Sequence, residues 1–223
     1  MSAPQSQPHI PELSSHAAAE LIRLSRVCAD FNHAEFAMGR DFADVSPRKH
    51  LAIAAFFLTH EHHNAVVSLY DAGLSGAALA MLRPCFEALA RGLWLVRGRD
   101  EQQLARFMSG HDTLQVEQLL KQIRKWPGGE RDAFLQKSWA DSERFLHQFT
   151  HVSYQLLVRR TPWESHPAAD DMSEGARAQA FAAGAALLAT IELARLVDSV
   201  DLAWRASNLL QAIYPAPTPP PIK

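Results

Sequence analysis

The stretch SPRKHLAIAAFFLTHEHHNAVVSLYDAG, Ser46 to Gly73, decides the fold class. Ser46 followed by Pro47 is a helix start: a serine hydroxyl satisfies an orphan amide, and proline at the first helical position loses nothing by lacking N–H. Ile53, Phe56, His60, His63 and Val67 then recur at helical spacing. Gly73 is placed to end the helix as the residue past its C-cap.

The same pattern extends outward in both directions. A first helix is predicted from Ser14 or Ser15 to about Gly39. A third is expected from Ser75 to Gly98, kinked at Pro84. Asp100 to Trp126 reads as two shorter helices broken near Gly110, and "WPGG" (Trp126 to Gly129) as a turn. A short helix is expected over Glu130 to Lys137, and another from about Asp141 through the stretch that ends at Arg160. "TPWESHPAADD" reads as a loop, after which Ser173 should cap a long last helix, Glu174 to about Leu210. No stretch alternates convincingly as a strand would, and no fixed-period repeat occurs. The expected architecture is all-α, an antiparallel helical bundle of about five to seven helices. Residues 1–12 are expected to be a disordered N-terminus, 13–212 a single helical-bundle domain, and 213–223 a Pro-rich tail.

Composition narrows the function classes. The chain has 223 residues, 48% hydrophobic and 21% charged, with a formal net charge of −2. That balance provides no global field for nucleic acid or anionic lipid, so any RNA site is a local patch and there is no DNA signal. The two cysteines, Cys28 and Cys85, sit in apolar helical contexts and read as buried thiols of a reducing cytosol. The longest apolar run, Ala180 to Ile191, is short and Ala-rich for a membrane span. A cytoplasmic location without membrane association is therefore expected. No P-loop, dinucleotide fingerprint, nucleophile elbow or CxxC pair occurs.

Three polar constellations stand out. In SERFLHQFTHVSYQLLVRR, Ser142 to Arg160, the residues Arg144, His147 and His151 form a stripe. At about 100° per residue, His151 lies roughly 20° from Arg144 and His147 roughly 60° from it. The apolar stripe of Phe145, Phe149, Val152 and Leu156 runs about 100° away, so the polar groups edge a core-facing surface where a cleft can form. A histidine can take a proton from a hydroxyl near neutral pH, and an arginine can hold a phosphate and stabilise developing charge. Together they suffice for metal-independent RNA cleavage by attack of a 2′-hydroxyl. Arg159 and Arg160 close the stretch. They complement a helix C-terminus by dipole alone, and they would enlarge an anion site.

On the third helix Arg83, Glu87 and Arg91 are spaced four apart, so Glu87 can pair with either neighbour, and Trp94 extends this charged edge. These residues read as a salt-bridge ladder, or as groups that line or support a cleft. In "THEHHN", His60 and His63 share the apolar face. Two histidines three apart can reach one metal, but Glu61 is followed three residues later by Asn64 rather than His, and no second matching motif completes a site. No metal and no cofactor are expected. His60 reads as a hydrogen-bonded core or cleft histidine.

Arg144, six intervening residues and His151, on a late helix of an all-α chain, resemble the signature of the HEPN superfamily. With LRPCFEALARGLWL on the third helix, the chain is similar to an uncharacterised bacterial domain family of HEPN-like type, from the second helix to the last. The resemblance implies a small helical bundle that dimerises, and a metal-independent endoribonuclease of a toxin–antitoxin or defence system. Arg144 and His151 would be the catalytic pair in a cleft shared by two protomers, with His147 auxiliary. The expected partners are a second copy and RNA. Where that family often has a polar residue after the arginine, this chain has Phe145, and some members of the superfamily are non-catalytic. The alternative is a non-enzymatic bundle that binds a protein partner or small ligand in the same polar cleft.

Overall fold

The structure is a computed structural model and describes residues 13–36, 42, 46–98, 100–111, 114–126, 133–150, 157 and 171–215. Among these residues every regular element is an α-helix. The boundaries follow local chemistry. Helix α1, Ser15–Phe36, starts where the Ser14 hydroxyl accepts from the Ala17 amide at 3.2 Å. Helix α2, Pro47–Asp71, has Ser46 as N-cap, extended at φ −62° and ψ 157°, with its hydroxyl accepting from Lys49 N–H. It ends at Gly73, whose φ of +72° lets the Leu74 amide return to the Leu69 carbonyl at 2.8 Å. The expected end of α1 at Gly39 lies outside the described residues.

The helix expected over Ser75 to Gly98 is two helices, α3 (Ser75–Ala80) and α4 (Leu82–Arg97). Pro84 cannot donate to the Ala80 carbonyl, and its ring crowds that oxygen. The break therefore falls at Met81, one turn before the proline, and Pro84 itself stands in the first turn of α4, where amides have no helical partner anyway. Helices α5 (Glu101–Met108) and α6 (Val116–Lys125) follow on either side of Gly110, φ +74°, as expected. Two separate helices were expected before and after residue 140; one helix, α7 (Ala133–Thr150), spans both. Most of the "TPWESHPAADD" loop and the residues after Pro215 lie outside the described residues.

The long last helix is also two, α8 (Asp171–Leu196) and α9 (Val200–Ile213). It starts before Ser173, which lies inside the first turn, where its hydroxyl meets the Leu13 amide at 3.4 Å. Asp198 adopts φ +51°, and the Ser199 amide reaches back to Ala194 O at 2.9 Å, so an aspartate here does what Gly73 does for α2. Ser199 then caps α9 by accepting from Leu202 N–H.

Helix α8 packs against α1, α2, α4 and α9. Ala176, Ala178, Ala182, Ala183, Ala186 and Ala189 are all buried on it, and together they form a broad face of small residues. Their small size lets four neighbours approach closely. By length and mean hydropathy the stretch Met172–Leu196 would suffice to cross a membrane, but 72% of its apolar window is buried inside the protein. Helices α2 and α4 also cross tightly: a Cβ added at Gly92 would collide with the fully buried Phe56 ring. Helices α6 and α7 pack on the other side of α4. Trp94, expected on a charged edge, is 1% exposed and donates its indole N–H to Gln122 Oε1 at 2.7 Å. Period alone put it beside Arg91; α6 covers that side of α4 and draws the indole into the core.

Candidate functional site

The polar stripes of α4 and α7 meet. Glu87 Oε1 accepts from Arg83 Nε at 2.8 Å, and Arg83 Nη1 lies 2.8 Å from His147 Nδ1. A guanidinium can only donate, so Nδ1 accepts and the imidazole carries its proton on Nε2. The Arg83 guanidinium also lies 5.8 Å from the Trp139 ring centroid, so it is held by a carboxylate, an imidazole and an aromatic face at once. Of the two arginines available to Glu87, it is Arg83 that bonds it here. Arg91 donates to the Leu114 carbonyl at 3.0 Å and lies over the Phe107 ring. Arg144 is exposed on α7, one turn before His147. His151, Arg159 and Arg160 lie outside the described residues.

A groove of about 390 Å³ continues from Glu87 between α2, α4 and α5, edged by His62, Glu87 and Arg91 and floored by Leu95 and Phe107. His62 was not among the residues singled out from sequence. It is half-buried, and burial pushes its pKa down against the opposing pull of Glu61. Its signal was positional only. It sits one step off the stripe that carries His60 and His63, which turns it from the α8 side of α2 toward the groove.

His60 is not in that cleft. It is 6% exposed, with Nε2 3.2 Å from the Ala186 carbonyl and 3.0 Å from Thr190 Oγ1, between the rings of Phe36 and Phe57. A carbonyl only accepts, so His60 donates through Nε2. Thr190 passes its own proton to Asn32 Oδ1 at 2.6 Å. His63 is fully buried, with Nε2 3.0 Å from Ser25 Oγ, which donates onward to the Gln179 carbonyl at 3.2 Å. Burial lowers the pKa of His60 to about 4 and of His63 to about 3, the latter also through repulsion from His60. The two imidazoles are thus neutral pegs joining α2 to α1 and α8, each with its own hydroxyl partner. Among the described residues no group of three or more His, Cys, Asp or Glu side chains converges as a metal site would need. Cys28 and Cys85 are buried free thiols, and burial pushes both up to about 12, so neither is a nucleophile at neutral pH.

The face that carries Arg83, Glu87, His147 and Arg144 can bind an anion, donate a hydrogen bond from a fixed imidazole N–H, and hold an arginine in one orientation.

A family model described as a family of unknown function, DUF6988, matches residues 56–212, and the chain belongs to that family. The match spans both helices of the polar face and begins midway along α2. No curated protein and no solved structure matches the chain.

Proposed function

We propose that this protein is a metal-independent endoribonuclease of HEPN-like type, with its phosphate site on the α4–α7 face and a second copy of the chain completing the cleft. The observation that carries the reading is the Glu87–Arg83–His147 chain of hydrogen bonds beside the exposed Arg144. In this reading Arg144 and Arg83 neutralise the scissile phosphate, which favours the crowded, more negative transition state over the ground state. A general base takes the 2′-hydroxyl proton, the 2′-oxygen attacks phosphorus, and the 5′-oxygen leaves with a proton, giving a 2′,3′-cyclic phosphate. The tautomer inferred for His147 limits its part. With Nδ1 engaged by Arg83, its proton is on Nε2, so it serves as a hydrogen-bond donor to a phosphate oxygen; His151 is assigned the base, and the proton it takes from the 2′-hydroxyl returns through solvent to the departing 5′-oxygen.

The test is induced expression of wild type, His151→Ala and His147→Ala in a bacterial host, with growth and RNA integrity scored, beside incubation of purified protein with a single-stranded RNA in chelator. The expected result is cleavage and slowed growth with wild type, loss of both with His151→Ala, and a partial loss with His147→Ala. Intact RNA and equal growth in all three would overturn the reading.

A further inference from the structure

Helix α7 carries a second exposed-edge stripe that the ribonuclease reading does not use. Phe134, Ser138, Asp141 and Phe145 follow one another at helical spacing, about 120° around the axis from Arg144 and His147. The adjacent stripe, Leu135, Trp139, Leu146 and Phe149, is buried in the core. The outer stripe faces α8 and α9 across a gap. The first lobe of this gap has a volume of about 740 Å³ and is lined by Phe86, Leu135, Phe181, Leu188, Leu210 and Tyr214 with Ser138 and Asp141. A second lobe of about 520 Å³ shares Asp141, Ser142, Phe181 and Tyr214 with it. The gap exists because small residues face each other: Ser138 and Ser142 on α7, Ala178, Gly184 and Ala185 on α8. Tyr214 lies on Gly184, where a Cβ would come within 2.8 Å of the ring, and its hydroxyl is fixed by donating to the Ala180 carbonyl at 3.0 Å. This wall is therefore held in place.

Size and lining match a small-molecule site: a concave, mostly apolar space within the usual range of several hundred Å³, with few polar groups. Charge selects the ligand. Among the described residues that line the first lobe, Asp141 is the one charged side chain, and it makes no hydrogen bond or ion pair with a described residue. It is exposed where the two lobes meet, while Phe86, Leu89 and Leu135 of the first lobe are buried. The second lobe adds one carboxylate and one guanidinium, Glu174 and Arg177 of α8, so its own lining contributes no net charge. We infer that the α7–α8–α9 groove binds a cationic amphiphile, an apolar chain or ring system carrying one protonated amine, with the amine at Asp141 and the apolar body along Phe181 and Leu188. The inference does not rest on the ribonuclease reading, since none of its residues belongs to the α4–α7 polar face.

The experiment is calorimetric titration of the full chain with dodecylamine below its micelle concentration, with dodecanoate as the control of opposite charge. The expected result is saturable one-to-one binding of dodecylamine, weaker binding of dodecanoate, and a loss of about tenfold in dodecylamine affinity in Asp141→Asn, as for removal of one charge-assisted contact. Ser138→Phe, which fills the floor of the first lobe, should abolish binding of both. Asp141 is exposed, so its amide variant keeps the fold even if Ser138→Phe does not, and the charge comparison stands without it. No saturable binding would mean that the chain itself fills the groove. Equal affinity for both amphiphiles, or an unchanged affinity in Asp141→Asn, would mean adsorption elsewhere, such as on the exposed Val200 and Trp204 of α9. Each of these outcomes overturns the inference.

Discussion

The two buried histidines make stability depend steeply on acid. His60 and His63 are each more than nine-tenths buried, and the groups that face them from α1 and α8 are Ser25, Asn32, Gln179, Ala186 and Thr190, none of them ionisable. Their folded-state pKa values are lowered, to about 4 and about 3, from an ordinary 6.5. The sign follows. Above pH 6.5 both rings are neutral whether the chain is folded or not, and the full stability is present. Below it the unfolded chain takes up two protons that the folded chain refuses, so stability falls until the pH reaches the folded values. The slope is about 1.4 kcal/mol per pH unit for each ring, so the loss between pH 7 and pH 5 is about 2 kcal/mol per ring and about 4 kcal/mol for both. Against a total of roughly 5–15 kcal/mol for an ordinary domain, that is a large share. The assay is urea denaturation followed by far-ultraviolet circular dichroism at pH 7, 6 and 5, for wild type, His63→Gln, and the double variant His60→Gln/His63→Gln. Carboxylates titrate mostly below this window. The single variant should lose about half as much stability as wild type across the window, and the double variant only the smaller remainder that half-buried His62 contributes. If the double variant loses as much as wild type, the acid sensitivity lies elsewhere and the picture of neutral pegs is wrong.

Three further outcomes test the packing. Gly92→Ala sets a gain of about 1 kcal/mol in helix propensity against a methyl driven into the buried Phe56 ring, and the clash should win by about 1–3 kcal/mol in thermal or urea unfolding; a stabilised variant would show that α2 and α4 can separate freely. Glu192, 7% exposed on α8, accepts from Arg97 of α4 at 3.0 Å and also pairs with Arg195; Glu192→Gln removes the charge that draws both guanidinium groups to α8 and should cost about 1–3 kcal/mol, read as a drop in urea midpoint. Asp198→Gly relieves a positive φ between α8 and α9 and should raise stability by about 0.5–1 kcal/mol; a loss would mean that the aspartate side chain holds the turn in some other way.

What sequence could reveal divides along a physical line. Features set within one turn of helix were legible: the Ser46–Pro47 start, the Gly73 stop, the Gly110 break and the Arg83–Glu87 pairing all depend on neighbours three to five residues away. The break at Asp198 obeys the same chemistry but uses a residue that adopts positive φ less readily than glycine, so its signal was weak. What failed was whatever a second helix decides. Trp94 and Arg91 are neighbours by angle, yet α6 buries the first while the second reaches Leu114. His60 and His62 differ by two positions, and the placement of α8 makes one a core peg and leaves the other at a groove. The groove beside Asp141 is the extreme case. A gap between helices has no residue of its own, and the small side chains that leave it open, Ser138, Ser142 and Ala185, read along a single helix as ordinary interface positions. Only the pairing of two small-residue stripes across α7 and α8 makes a cavity. The same argument separates the two functional readings: the Arg144–His147 stripe is local and so visible in sequence, whereas a ligand site made of absences has to be found in the packing.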